Sequence, residues 1–473
     1  MNGTTKLLGA LLIFGVGGPA FAVQFSFKGD LNNRVMIYTS QANMYAASET
    51  IGSLTGPGEV ISPQPIPETW ADIKYRLSAE ASSDDKMVRG VYMLELGAIR
   101  FGFDTSPGAL GRNSGGRYSG DGVNVETRFA YIDFGLPGTQ AQKFRATFGL
   151  QPVSVNKYLW QETAMGINLK ADAGPAGLTL AWYRGFEIFN DDIFDPTFGD
   201  GDNIHLRVAL EPSKELKGGL FGLYQRRQPE ATPAATNRPT HLLKGFGAVN
   251  YDIVNLGVDA AFTAAPLLVN VDFIYQLGNT TTTRGTAPDF TTPSLNVGSF
   301  LAHVDVGVNL GAARVMYTGW YASGDGNPDD DDLNNFVATD VDTFDSIIFG
   351  EGGYTDDNYF TEAPYFLDKG AFFNKLGVDF KATETVTVGG AILYVMTAQD
   401  LTLADGSTTR GLGTEIDAFI SYKLNANLEL ALNAGYLFSA DGMDFFETDG
   451  AHKGNGTADA NVFRSTARAR FTF

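Results

Sequence analysis

From Val23 to Phe473 the chain repeats one pattern: short stretches in which apolar and polar residues alternate, joined by connections that are long and short in turn. Asn203-Ile204-His205-Leu206-Arg207-Val208-Ala209-Leu210 and Leu428-Glu429-Leu430-Ala431-Leu432-Asn433 carry it. A period of two puts every second side chain on one face of a β-strand. Eighteen such segments can be placed, from 24–39 to 461–473, with 142–151, 166–172 and 242–262 among them. The long connections are 40–67, 104–121, 152–165, 188–201, 228–241, 280–298, 324–370, 399–413 and 441–460. Ser82 to Lys86, Ala173 to Ala176, Ala382 to Glu384 and Ala426 are short ones. A soluble β-sandwich has no reason to place every long loop at one end, whereas an outer-membrane barrel does so, with an even number of strands. An open sheet cannot span a bilayer, because its edge amides and carbonyls would go unsatisfied in hydrocarbon. The expected fold is therefore all-β: a transmembrane antiparallel β-barrel of 18 strands, with 16 as the alternative, short periplasmic turns and long extracellular loops. Its first and last strands must pair.

Composition narrows the function classes. Cysteine is absent, which removes disulfides, thiolate metal sites and cysteine nucleophiles. The net charge of −20 disfavours nucleic acid as a partner. No run of about 18 apolar residues follows position 30, so no spanning helix is expected there. At the N-terminus Lys6, the apolar run Leu7 to Gly18 and Ala20-Phe21-Ala22 have the order of a cleaved secretory signal. Residues 1–22 are read as that signal and 23–473 as a single barrel domain of an exported, bacterial protein.

In a membrane barrel the apolar face meets lipid and the polar face points into the lumen. With 16 or 18 strands the interior is too wide for side chains to fill, and water enters. The inward sets include Lys28, Asp30, Asn32 and Arg34 on the first strand and Asp72, Lys74, Arg76 and Glu80 on the second. Glu126 and Arg128, Lys143 and Arg145, and finally Arg464, Arg468 and Arg470 follow on later strands. Closure makes these strands neighbours, so their cations are expected to form a basic stretch of wall that acts on passing ions. The plainer alternative is that each lumen charge is paired and solvated.

Several stretches together resemble the trimeric general porins of Gram-negative outer membranes. They are Tyr75-Arg76-Leu77, Thr127-Arg128-Phe129-Ala130-Tyr131-Ile132-Asp133-Phe134-Gly135-Leu136, Phe148-Gly149-Leu150-Gln151 and the terminal Phe473. The resemblance implies a homotrimeric, water-filled pore for passive diffusion of small hydrophilic solutes and ions, in the outer membrane among lipid and lipopolysaccharide. It implies no enzyme and no cofactor. Arg76 and Arg128 match the arginines of the family's constriction, and the strand Ala146 to Gln151 would lead into a loop, Pro152 to Met165, that narrows the pore. Here the sequence departs from the family: that loop carries one carboxylate, Glu162, beside Lys157, Tyr158 and Trp160, and 18 strands exceed the family's 16. A substrate-specific 18-stranded channel for sugars or small organic acids is the alternative. Phe471 and Phe473 resemble the C-terminal signal read by the barrel-assembly machinery.

Three further groups stand out. The acidic stretch 324–370, expected as an extracellular loop, contains Asp325, Asp329, Asp330, Asp331 and Asp332. Asp325, Asn327 and Asp329 start like a calcium loop, but Asp330 replaces the required glycine and Phe336 the bidentate glutamate, so no EF-hand forms. The expectation is a solvated acidic loop, or a weak divalent site for Ca2+ or Mg2+. His205, His241, His303 and His452 have neither ligand nor triad spacing, and His205 and His303 fall on inward faces. A barrel enzyme would need an outward serine–histidine pair, and none is spaced for it. Tyr38, Tyr92, Tyr131, Tyr394 and Tyr436 are candidates for the aromatic girdles, whereas Arg89, Arg100 and Arg184 fit a lipid face poorly.

Overall fold

The computed structural model describes residues 23–39, 69–102, 125–140, 142–185, 201–227, 248–282, 294–327, 330–341, 345–350, 354, 365–403, 405–446, 458 and 461–473. The expected signal segment lies outside them. The strands are β1 (Val23–Thr39), β2 (Thr69–Ser83), β3 (Val88–Arg100), β4 (Glu126–Gly135), β5 (Phe144–Asn156), β6 (Trp160–Asp172), β7 (Ala176–Arg184), β8 (Asp202–Leu210), β9 (Leu216–Arg227) and β10 (Ala248–Ala264). They continue as β11 (Leu267–Thr282), β12 (Ser294–Leu310), β13 (Ala313–Ala322), β14 (Asp332–Leu333), β15 (Ala371–Lys381), β16 (Val386–Thr402), β17 (Thr408–Lys423), β18 (Leu428–Ser439) and β19 (Val462–Thr472). The two-residue β14 runs parallel to β12 and is not part of the wall. The other 18 pair antiparallel with their chain neighbours, and β1 pairs with both β2 and β19. The barrel is closed with 18 strands, and the alternative of 16 is excluded.

Closure runs to the last residue. The Phe473 carbonyl accepts from the Gly29 amide at 2.9 Å, and the Phe473 amide donates back to Gly29 at 3.1 Å. The Phe473 ring covers the space where a Gly29 side chain would sit, with a Cβ there only 2.2 Å from it. Phe471 and Phe473 are exposed on the outer face, while Arg468 and Arg470 stand opposite Arg34 and Asn32 inside.

Exposed apolar residues such as Leu180, Leu206, Leu220 and Leu256 share the outer face. Their band ends near the long-loop rim in a cross-strand row Arg184–Asp202–Arg226–Asp252 of alternating charge. Just inside it lies the row Trp182–Ile204–Tyr224, and the Trp182 indole donates to Asp202 at 2.7 Å. A charged row beside amphipathic aromatics is what an interface between hydrocarbon and headgroups selects. Arg184 is thus on the outer face after all, at the rim and 3.4 Å from Asp202.

Bulges in β3 and β4 re-phase the alternation. Gly97 and Ala98 stand against Lys74 alone, so Arg89 and Glu95 face inward before the bulge and Arg100 faces inward after it, over the Trp70 ring at 4.6 Å. An extra residue at Arg128 does the same in β4 and turns Tyr131 into the lumen. Tyr131 is therefore not a girdle residue. Neither is Tyr38, which is buried inside against Trp70 at 5.1 Å. Tyr92, Tyr394 and Tyr436 are on the outer face.

Deleting Phe473, or replacing Gly29 with leucine, is expected to lower the yield of heat-modifiable barrel several-fold on cold electrophoresis of outer-membrane extracts. Unchanged yield in both variants would contradict the seam's role in closure.

Candidate functional site

Among the described residues, two segments of the chain cross the lumen. The first is the β5–β6 hairpin. Pairing of β4 with β5 stops at Ala130–Leu150, and pairing of β6 with β7 stops at Met165–Arg184. Beyond these points residues 151–164 no longer pair with β4 or β7 and form a two-stranded ribbon. The ribbon departs at Gly149 and Gly166, which are cross-strand partners. Gly149 has φ of 125°, in the region that favours glycine, and a Cβ on either residue would meet a neighbouring carbonyl oxygen at 2.4 or 2.2 Å. The expected loop 152–165 is thus mostly strand, with only 157–159 as a turn.

The ribbon tip reaches strands far round the barrel. Asn156 donates to Asp272 on β11 at 2.6 Å, and the Tyr158 ring lies 4.8 Å from His303 on β12 and 6.1 Å from Trp320 on β13. His303 is held between Asp272 at 2.7 Å and Asp305 at 3.2 Å. Tyr365 donates to the Tyr158 carbonyl at 2.5 Å. Burial pushes both phenols well above their ordinary range, so both are neutral donors.

The second segment belongs to the stretch expected as a solvated acidic loop, and over residues 333–341 and 345–349 that expectation fails. Leu333 and Val337 pack with Ile253, Leu295 and Val297 on the inner wall. Phe336 packs against Tyr365 at 5.2 Å, beside the Trp320–Phe373 stack. A ladder of side-chain amides holds it to the wall: Gln225 donates to Asn203 at 2.9 Å, Asn255 to Gln225 at 3.0 Å, Gln276 to Asn255 at 2.6 Å, and Ser299 to Gln276 at 2.8 Å. The Gln276 side-chain amide also donates to the Val337 carbonyl and accepts from the Val337 amide, both at 2.9 Å. Leu159 accepts from the Thr339 amide at 2.8 Å, and Asp340 from the Gln161 amide at 2.9 Å, so this strap and the ribbon brace each other.

Farther along, Glu415 on β17 accepts from the Ser346 hydroxyl at 2.6 Å and from the amides of Ile347 and Ile348 at 2.9 and 2.8 Å. Lys375 donates to the Asp345 carbonyl at 2.7 Å, and Lys157 pairs with the Asp345 carboxylate at 2.8 Å. A buried carboxylate with three donors is well satisfied, and the strap is fixed at both sides of the lumen.

The seam arginines serve this clamp and do not stand as a bare basic wall. Arg464 is buried, donates to the Ile347 carbonyl at 2.8 Å and lies over the Tyr38 ring. Arg34 pairs with Asp72 at 2.6 Å and donates to the Tyr354 carbonyl at 2.8 Å. Arg468 stacks on the Tyr354 ring at 4.0 Å and pairs with Glu429 at 2.5 Å, and Arg470 pairs with Asp30 at 2.6 Å. Lys74, Arg76 and Arg128 converge on Glu95: Lys74 at 3.6 Å, Arg128 at 4.0 Å, and Arg76 in a direct ion pair. Arg128 also binds Glu162 of the ribbon at 2.7 Å, and Arg145 and Arg89 share Asp133. Lys28 and Lys143 are exposed. Sequence reasoning missed Glu95, Asp133, Glu429 and Glu415. The inward parity of their strands was the available signal, and the bulge in β3 obscured Glu95.

Of the acidic candidates, Asp329 lies outside the described residues. Asp325 is buried and accepts from the Asn327 amide, Asp330 accepts from Asn327 and from the Asp332 amide, and Asp331 bonds the Asn296 amide through its carbonyl. Among the described residues no three histidine or carboxylate side chains come together as a metal site. His205 is buried on the inner face as expected, and His241 and His452 lie outside the described residues.

Among the described residues, ribbon and strap border two cavities on the lumenal side. One, of about 390 Å³, lies beside Asn156, Arg207, Asp259 and Asp272. The other, of about 370 Å³, lies between β13, β15 to β18 and the strap at Ser346, Ile347 and Tyr354.

No protein-family model and no curated protein matches the chain. Solved structures do. OccAB4 of Acinetobacter baumannii superposes with a TM-score of 0.52 at 8% identity, over 95% of this chain and 98% of that one. Pseudomonas aeruginosa OccK9 (OpdG) gives 0.52 at 12% identity, over 95% and 98%. P. aeruginosa OpdK, solved with vanillate, gives 0.50 at 9% identity, over 94% and 99%. The chain has the fold of these Occ and Opd proteins. At such identity the likeness is one of fold, and the side chains of ribbon, strap and wall are this chain's own.

Replacing Glu415 with alanine removes the acceptor of three buried donors, each costing about 1–3 kcal/mol when left unsatisfied. Hydrogen exchange at the amides of Ile347 and Ile348 is expected to accelerate at least tenfold, a change of about 1.4 kcal/mol. Unchanged exchange would contradict the clamp.

Proposed function

We propose that this chain is an outer-membrane channel of a Gram-negative bacterium, passing small hydrophilic solutes passively and catalysing nothing. A closed barrel with an apolar outer band and a polar interior supports the channel. Among channels, the substrate-selective reading is favoured over general diffusion. The observation that carries it is the crossing of the lumen by both ribbon and strap, which confines solutes to cavities the size of small-molecule sites, about 300–1,000 Å³. That OpdK was solved with vanillate, a small organic solute, agrees with it. Ribbon residues 152–165 act as the constriction, with Arg76, Arg128 and Glu162 at its base. The wall cations are largely neutralised by Glu95, Asp133, Asp72, Asp30 and Glu429, so selectivity rests on shape and local hydrogen bonding more than on a broad basic field. Residues 1–22 serve export, Phe471 and Phe473 serve recognition by the barrel-assembly machinery, and assembly as a homotrimer follows the general-porin resemblance.

Reconstitution into planar bilayers tests this reading. Purified protein is expected to give small, stepwise, salt-dependent conductance. Shortening the ribbon by replacing residues 153–163 with a two-residue turn is expected to raise it several-fold. Absence of conductance, or no change on shortening, would overturn the reading.

A further inference from the structure

Glu415 anchors one end of the strap, and a second carboxyl group stands beside it. Glu415 and Asp417 are two residues apart on β17, so their side chains share the inner face. Both are buried: Glu415 is fully enclosed and Asp417 is only 7% exposed. The residues opposite them carry no charge. They are Ala391 and Leu393 on β16, and Gly435 and Leu437 on β18. Ile347 of the strap closes the remaining side. A Cβ on Gly435 would stand 2.8 Å from Asp417 Oδ1 and 3.0 Å from Ile347, so these three residues are packed together. Among the described residues no N–H or O–H donor makes a hydrogen bond to Asp417 Oδ1, whereas the Asp417 carboxyl is hydrogen-bonded to Glu415. The charges around the pair have partners of their own. Lys375 on β15 donates to the Asp345 carbonyl, the Asp345 carboxylate pairs with Lys157, and Arg464 on β19 donates to the Ile347 carbonyl. Arg314 and Asp379 stand opposite each other one inward position nearer the turns, at the level of Phe419. Two carboxyl groups in contact and out of water do not both ionise.

We propose that Glu415 and Asp417 hold one proton between them, and that this proton latches the strap across the lumen. The latch regulates the passage and so rests on the channel reading above. With the proton in place Asp417 donates its O–H to Glu415. The Glu415 carboxylate accepts it together with the Ser346 hydroxyl and the amides of Ile347 and Ile348. Loss of the proton to solvent leaves two negative charges beneath Ile347. Only water relieves them, and water reaches Asp417 when Ile347 lifts. Lifting Ile347 gives up the amide bonds to Glu415, so residues 346–348 come off the wall and the lumen widens. The stabilisation is present while the proton is bound and is lost as rising pH removes it.

The test follows the full-length barrel from neutral pH to about pH 11. Infrared spectroscopy of the wild type is expected to show a buried carboxylic-acid carbonyl band that vanishes in one alkaline step. Asp417→Asn is expected to lack that band. Pulsed hydrogen exchange at Ile347 and Ile348, referred to the free-peptide rate at each pH, is expected to accelerate about tenfold or more across the step. Conductance in planar bilayers at fixed salt is expected to rise several-fold at the same pH and to fall back on neutralisation. Asp417→Asn keeps a neutral donor to Glu415, so its exchange and conductance are expected to stay flat over the whole range. Heat-modifiable migration verifies that the barrel stays folded throughout. If Asp417→Asn does not fold, coincidence of band loss with faster exchange in the wild type decides. Absence of the band at neutral pH, exchange unchanged as the band is lost, or a step that persists in folded Asp417→Asn would overturn the latch. So would a conducting protein whose conductance stays flat through the step. A protein with the band and the exchange step but no conductance at any pH refutes only the channel reading.

Discussion

Every backbone amide and carbonyl that faces hydrocarbon must find its partner within the protein. That constraint explains why the 18 long strands close into a single sheet. It explains why the last residue is ordered: Phe473 exchanges both backbone bonds with Gly29, where a frayed terminus would leave an open edge. The apolar band outside and the polar face inside then follow from the strand period of two, without further design.

Inside the barrel the physics reverses. The inner wall mixes polar rows with buried apolar residues such as Ile253, Val297 and Phe373, and a segment stays there only if its polar groups are matched and its apolar side chains are covered. The strap meets this demand twice, with the amide ladder from Asn203 to Ser299 on one side and Glu415, Lys375 and Arg464 on the other. Between them it buries Phe336 and Tyr365 against Trp320 and the ribbon tip. Isolated lumen ion pairs are worth little when solvated. Those here are partly or fully buried and tie loop to wall, so their main effect is on the shape of the passage.

Much of this was legible in the sequence. Strand faces, the alternation of long and short connections, the closing seam and the inward arginines all follow from periodicity. What escaped did so for specific reasons. Pro152 and Lys157 interrupt the alternation through Val153 and Val155, so the ribbon reads as a loop. The bulges at Gly97-Ala98 and Arg128 shift parity by one residue, which flips Arg100 and Tyr131 to the lumen. The strap was masked by its acids. Leu333, Phe336, Val337 and the run Ile347-Ile348-Phe349 were the sign that it is not simply solvated. Which carboxylate each arginine takes depends on cross-strand register, which composition cannot supply.

The central claim is that the β5–β6 ribbon leaves the wall and crosses the lumen. Because the chain has no cysteine, a single engineered pair is free of competing thiols. Asn156 and Asp272 touch at 2.6 Å through their side chains. With Asn156→Cys and Asp272→Cys in one chain, dibromobimane added to intact outer membranes is expected to link the two thiols within most of the folded protein, because a contact made by side-chain tips leaves the Cβ atoms farther apart than a direct disulfide spans. Failure to cross-link in folded barrels, while a control pair across the β1–β19 seam at Val35 and Ala467 does cross-link, would contradict the account.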